Sequence, residues 1–108
     1  MQGETLKGHL DLLLLAAVAP APLHGYAVIE ALRARSGGAF DLAEGTVYPV
    51  LHRLEAAGFL RSRWGEQEGR RRRVYEVSAA GRKALAAQAE GFRLFVRSVD
   101  QVLRGATP

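Results

Sequence analysis

The chain has 108 residues, 48% of them hydrophobic, which suits one domain with a packed core and excludes a disordered chain. It has no cysteine, which excludes a disulfide framework and a thiolate metal site. The formal net charge is +4, but it is unevenly placed: residues 1–60 hold four basic and six acidic side chains, residues 61–83 eight and three, residues 84–108 three and two. One short stretch therefore carries the positive surplus, as a surface for a polyanion would.

A first helix is expected over residues 5–19, capped by Thr5 and stopped by Pro20 and Pro22. Leu10, Leu12, Leu13, Leu14 and Leu15 cover most of its circumference, so it must be covered on more than one side, by the core and by a partner chain. The run does not read as a signal peptide, because Glu4 and Asp11 flank it against a single Lys7. It is also shorter than the roughly 20 apolar residues a membrane span takes. A soluble, cytoplasmic protein is expected.

A second helix is expected over residues 23–35, with Tyr26, Ala27, Ile29 and Leu32 as its apolar stripe and Gly37-Gly38 at its end. A third begins near Glu44 or Gly45 and ends at Gly58. Val47, Leu51 and Leu54 share its inner face. Gly45, Pro49 and His52 lie opposite, with Thr46, Tyr48 and Arg53 on the borders. Pro49 is tolerated only close to the helix start. Residues 59–64 and 73–77 alternate as strands, and residues 65–72 between them read as a long, flexible connection marked by Gly65 and Gly69. Trp64 and Tyr75 read as core residues.

Ser78 caps a last helix running to about Arg104. Leu85, Ala89, Phe92, Val96, Val99 and Leu103 recur at four, three, four, three and four residues, a heptad seam that points to another helix of a second chain. Phe95 and Val102 widen it. The fold class is therefore mainly α with a small β-hairpin: a winged helix-turn-helix over residues 1–78, whose first helix is also in the dimer interface, and a C-terminal dimerisation helix over residues 79–108. A winged helix-turn-helix places one helix in the major groove of DNA and the hairpin on the flanking backbone. The candidate DNA-binding residues are Thr46, Tyr48, Pro49, His52 and Arg53 on the helix and Arg70, Arg71, Arg72 and Arg73 on the wing. Thr46 and Tyr48 are expected to discriminate sequence and the arginines to meet phosphates. The candidate dimer interface is Leu10, Leu13 and Leu14 with Leu85, Ala89, Phe92, Val96, Val99 and Leu103.

Four ordered segments resemble the PadR family of bacterial transcriptional regulators: His24-Gly25-Tyr26, the run from Glu44 to Leu54, Gly69 to Tyr75, and Ser78-Ala79-Ala80-Gly81. The single short C-terminal helix is similar to the smaller PadR subfamily. The family usually has Ser where Ala43 stands and Thr where Ser78 stands. The resemblance implies a homodimer on a pseudo-palindromic operator, usually a repressor, associated with the nucleoid. It also implies release by a small aromatic effector bound between the first and last helices, where Phe92, Phe95 and Val96 are the candidate lining. No cofactor and no membrane partner are expected. His9, His24 and His52 share no ligand spacing, so no metal site is expected, and no catalytic grouping points to an enzyme. The alternative is a winged-helix dimer that binds proteins without an operator. Four successive arginines distinguish the two, since a protein-binding version does not need them.

Overall fold

Leu14 and Leu15 of the leucine run are buried because the two helices that follow, the central strand of the sheet and the last helix converge on this segment. A computed structural model describes residues 6–106. The expected cap at Thr5 lies outside them. A 3-10 turn at Lys7–His9 leads into helix α1 (Leu10–Val18). Strand β1 (Leu23–His24) follows, then helices α2 (Gly25–Arg35) and α3 (Glu44–Ala56). Strands β2 (Leu60–Gln67) and β3 (Arg70–Val77) form the wing, and helix α4 (Ala79–Ala106) ends the chain. The sheet is antiparallel in the order β1-β3-β2. Among the described residues, no helix is long and apolar enough to cross a membrane.

Leu14, Leu15, Val18, Val28, Val47, Leu51, Leu54 and Leu60 are fully buried and form the centre of the core. Burial of a Leu or Val side chain contributes about 1.5–3 kcal/mol, so these side chains are what hold the three helices on the sheet. Two arginines finish the C-terminal end of α1, where carbonyls lack helical partners. Arg35 donates to the carbonyls of Ala16 and Ala17, both at 3.3 Å, and Arg82 to that of Ala19 at 3.5 Å. Leu14 is wholly enclosed by its own chain, which removes it from the expected dimer surface. Leu10 and Leu13 keep partial exposure.

Three expectations need correction. The segment at Leu23–His24 is a strand and not helix: Leu23 pairs with Tyr75 and His24 with Val74. On α2 the buried side is Gly25, Val28, Ile29 and Leu32, and Tyr26 stands 48% exposed. The wing is paired to its tip, with Gln67 opposite Arg70. Glu68 and Gly69 take φ values of 55° and 75°, the left-handed pair that a two-residue hairpin turn requires. Gly65 accordingly sits inside a strand, where an added Cβ would come within 2.8 Å of Val74 Cγ2.

The start of α4 is fixed to the end of α3. The Ser78 hydroxyl donates to the Gly58 carbonyl at 2.5 Å and accepts from the Gly81 amide at 3.0 Å, while the Ser78 amide bonds the Phe59 carbonyl at 3.0 Å. Gly81 lies so close beneath the Phe59 carbonyl that an added Cβ would overlap it. Beyond this junction Ala84 and Leu85 pack on the core, but every residue from Gly91 to Ala106 is exposed.

Gly81→Ala is expected to destabilise the fold by about 1–3 kcal/mol, because backbone, not a flexible side chain, blocks the new methyl group. Urea midpoints compared at one protein concentration measure this; an unchanged midpoint would refute the close approach.

Candidate nucleic-acid interface

Helix α3 begins at Ala43, whose side chain offers no cap; the Ala43 carbonyl instead takes the Thr46 and Val47 amides at 3.0 and 3.1 Å. Pro49 lies in the second turn, where it removes the N–H that would meet the Gly45 carbonyl. Gly45 is exposed, so water can satisfy that carbonyl. Val47, Val50, Leu51 and Leu54 face the core, leaving Gly45, Pro49 and His52 outward. Thr46 is half-buried on one flank and Tyr48 half-buried on the other.

The two flanks differ in what they touch. Arg53 is drawn to α1, where it donates to Asp11 Oδ2 at 2.9 Å and stands 2.7 Å from Oδ1. That hydrogen bond and the carboxylate's charge hold the guanidinium still more firmly protonated. Arg53 thus links α3 to α1 while its side chain remains exposed. Tyr48 turns toward the sheet. Its ring lies over Gly25, where an added Cβ would be 2.5–2.7 Å from Cε1, Cζ and Oη. The glycine of His24-Gly25-Tyr26 is required because Tyr48 occupies the space of its side chain.

His24 caps α2: its Nδ1 accepts from the Ala27 amide at 3.3 Å. Desolvation, then the neighbouring Arg72 cation, lowers its pKa below the ordinary 6.5 against smaller opposing effects of Glu30 and Glu68. The accepting, neutral imidazole is the form this site favours.

The arginine run divides by strand alternation. Arg71 and Arg73 share a face with Trp64 and Tyr75; Arg70 and Arg72 share the other. Tyr75 is buried at the base of its face, whereas Trp64 is 56% exposed, which overturns its assignment to the core. Arg71 Cζ and Arg73 Cζ lie 4.9 and 5.2 Å from its ring centroid, within cation–π range. Arg73 Nε donates to Ser62 Oγ at 2.9 Å, and Ser62 Oγ donates to Glu55 Oε2 of α3 at 2.5 Å. Between the wing and Tyr48 is a cleft of about 160 Å³, lined by His24, Gly25, Tyr48, Trp64 and Arg71 to Arg73. Phe92 and Phe95 line a separate open groove of about 470 Å³ with His9, Asp11 and Arg53. His9 meets the Phe92 ring edge-on, with centroids 5.2 Å apart. Val96 is exposed and does not line this groove. Among the described residues no cluster of His, Asp and Glu is suited to a metal ion.

A helix with an outward face beside an arginine-bearing hairpin is the arrangement of a winged helix-turn-helix. The model of the transcriptional regulator PadR-like family matches residues 14–87, which span all three elements. The chain belongs to the PadR-like family. It is 39% identical over 96 residues to Transcriptional regulator Rv3488 of Mycobacterium tuberculosis, covering 89% of this chain and 87% of that protein. It is also similar in structure to a PadR family transcription regulator of Clostridium difficile, with 26% identity, a TM-score of 0.78 and coverage of 89% and 99% of the two chains. A PadR family regulator of Eggerthella lenta aligns at 27% identity and a TM-score of 0.79, over 93% of this chain and 86% of that one. These PadR-like proteins are transcription regulators and not enzymes, and DNA-binding transcription regulation is the function the family carries.

The residues missed by sequence reading are those whose role depends on the wing: Trp64, Ser62 and Glu55. Period-two alternation put Trp64 with Leu60 and Ser62 on the inner face, correctly, but did not show that the sheet outruns the helices before Trp64.

Because the folded state lowers the pKa of His24, the unfolded chain binds more protons below 6.5, and stability falls as pH drops through the interval beneath that value. His24→Asn keeps a capping acceptor without a titration. Urea midpoints above and below pH 6.5 should fall more steeply for the wild type than for His24→Asn. Equal slopes would remove His24 as the cause.

Proposed function

We propose that the protein is a sequence-specific DNA-binding regulator, a homodimeric and ligand-responsive repressor acting on a pseudo-palindromic operator. The observation that carries this reading is the outward face of α3, with Thr46, Pro49 and His52, standing beside a wing that bears Arg70, Arg71, Arg72 and Arg73. The helix face offers small and polar groups to base edges, and the wing offers cations to the flanking phosphates. Tyr48, on the flank between them, serves the same half-site.

The homodimer is supported by α4. Phe95 is 59%, Leu103 55% and Val102 74% exposed, and Val96 and Val99 join them on one stripe. Charged residues Glu90, Arg93, Arg97, Asp100 and Arg104 occupy the other side, where Arg104 pairs with Asp100 at 2.8 Å. An uncovered apolar stripe of this length is suited to a second copy of the same helix, an isologous contact. The dimerisation segment then begins at residue 79, with Leu10 and Leu13 of α1 at its margin. Two recognition helices related by a two-fold axis call for half-sites about one helical turn apart. The effector proposed is a small aromatic molecule entering beside Phe92 and Phe95.

Val96→Asp with Val99→Asp should convert the dimer to monomer or unfold it, since a buried unpaired carboxylate is very costly. Sedimentation equilibrium measures this; a folded wild-type monomer at micromolar concentration would refute the dimer.

Arg71→Ala with Arg72→Ala should weaken operator and random DNA by similar factors. It should lower the slope of log affinity against log salt by roughly one to two units, at about 0.9 for each phosphate no longer neutralised. Titrations of both duplexes across a salt series test it, and unchanged affinity and slope would argue against the wing as a backbone contact.

A further inference from the structure

Trp64 is the only tryptophan in the chain, and it is placed where a large apolar side chain gains little burial. Its two neighbours across the strand are the cations Arg73, directly opposite, and Arg71, on the diagonal. Both guanidinium carbons lie over the ring, at 5.2 and 4.9 Å. Arg73 is tied a second time, to Ser62, which Glu55 of α3 holds in turn. The carboxylate that steers Arg73 therefore acts through a hydroxyl, and among the described residues no ion pair neutralises the guanidinium. The cleft facing Tyr48 has no carboxylate in its lining. Glu66 stands opposite Arg71 on this face and Glu68 at the turn, both nearer the wing tip.

An exposed arginine loses rotamer freedom when it grips a phosphate. Stacking on an indole removes part of that freedom before DNA arrives, and leaves the edge N–H groups pointing away from the ring plane's centre, available to an anion.

We propose that Trp64 is a positioning residue: its indole holds Arg71 and Arg73 across the cleft from Tyr48, so that a backbone phosphodiester of double-stranded DNA is clamped between wing and recognition helix. This rests on the DNA-binding reading above. Trp64 acts through the two arginines and not by reading bases. Its effect is therefore independent of sequence, and it disappears when the arginines are absent.

The test uses the full chain and a random-sequence duplex titrated over a salt series, with five proteins: wild type, Trp64→Leu, Trp64→Phe, Arg71→Ala with Arg73→Ala, and the variant that combines Trp64→Leu with both arginine changes. Trp64→Leu keeps apolar bulk and removes the ring face; Trp64→Phe keeps a face. Trp64→Leu is expected to weaken binding roughly three- to tenfold and Trp64→Phe to restore most of the loss. The loss from Trp64→Leu should vanish in the background lacking both arginines, as a double-mutant cycle requires of residues acting as one unit. The wild-type tryptophan emission should change on adding the duplex, since the sole indole borders the clamp. Urea midpoints should stay equal, which separates positioning from folding.

Wild-type affinity in Trp64→Leu overturns the proposal while leaving the DNA-binding reading intact. An equal loss with or without the arginines also overturns it, since Trp64 then acts by itself. A wild type that binds neither the random duplex nor its own upstream DNA overturns the proposal and the DNA-binding reading together.

Discussion

Everything on the two working ends of this molecule is referred to one buried hydroxyl. Ser78 bonds Gly58, where α3 has just ended, and Gly81, where α4 has just begun. Its amide bonds the Phe59 carbonyl, and Gly81 packs beneath the same carbonyl. These contacts are short, and all but the Ser78 hydroxyl are backbone groups, so they admit little angular play. The helix that would face DNA and the helix that would face a partner are thus one rigid corner.

The cations are divided among tasks that the net charge conceals. Arg35 and Arg82 finish the C-terminal end of α1, Arg53 joins α3 to α1 through Asp11, and Arg61 lies 3.6 Å from Glu76 on the outer face of the wing. What remains concentrated near α3 is the arginine run, and even that is split by alternation into a pair on the Trp64 face and a pair on the His24 side. A basic total says that a polyanion is attracted; this division says where it would be held. Exposed pairs such as Arg53–Asp11 contribute little to stability by themselves. Their consequence is geometric, since they fix which way a long side chain points.

Local chemistry made much of this legible. The helix at Glu44 followed from Pro49 and the apolar spacing, and the start of α4 from Ser78. Residues whose state depends on a distant partner were not legible. That the ring of Tyr48 lies over Gly25 was hidden, because nothing in its own helix shows that Gly25 leaves room for it. The turn at Glu68-Gly69 was hidden because Glu is not a residue that ordinarily takes a left-handed conformation, so two glycines four apart suggested a loop. Strand β1 is two residues long and carries no period of its own; only β3 makes it a strand. Leu14 illustrates the reverse error. A helix apolar all round does need several coverings, but this chain supplies most of them itself.

The placement of Phe92 shows how an effector could act on this architecture. It lies just past the point where α4 leaves its own core, touching His9 at the entry to α1. Beyond it α4 runs about another 20 Å with every residue exposed among the described residues. In the proposed dimer those uncovered stretches cross, and the junction at Ser78 fixes each recognition helix to its own α4. The separation of the two recognition helices is then set by the angle at which the long helices meet. A ligand wedged at Phe92 acts near the fulcrum of that lever. The hydrogen bonds at Ser78 give such a ligand a path from the start of α4 to the end of α3. Arg53 gives the same groove a second, shorter route, because it borders the groove through Asp11 and belongs to α3 itself. Two connections from one groove to one helix make the recognition helix the element on which a ligand there would act, whichever route dominates.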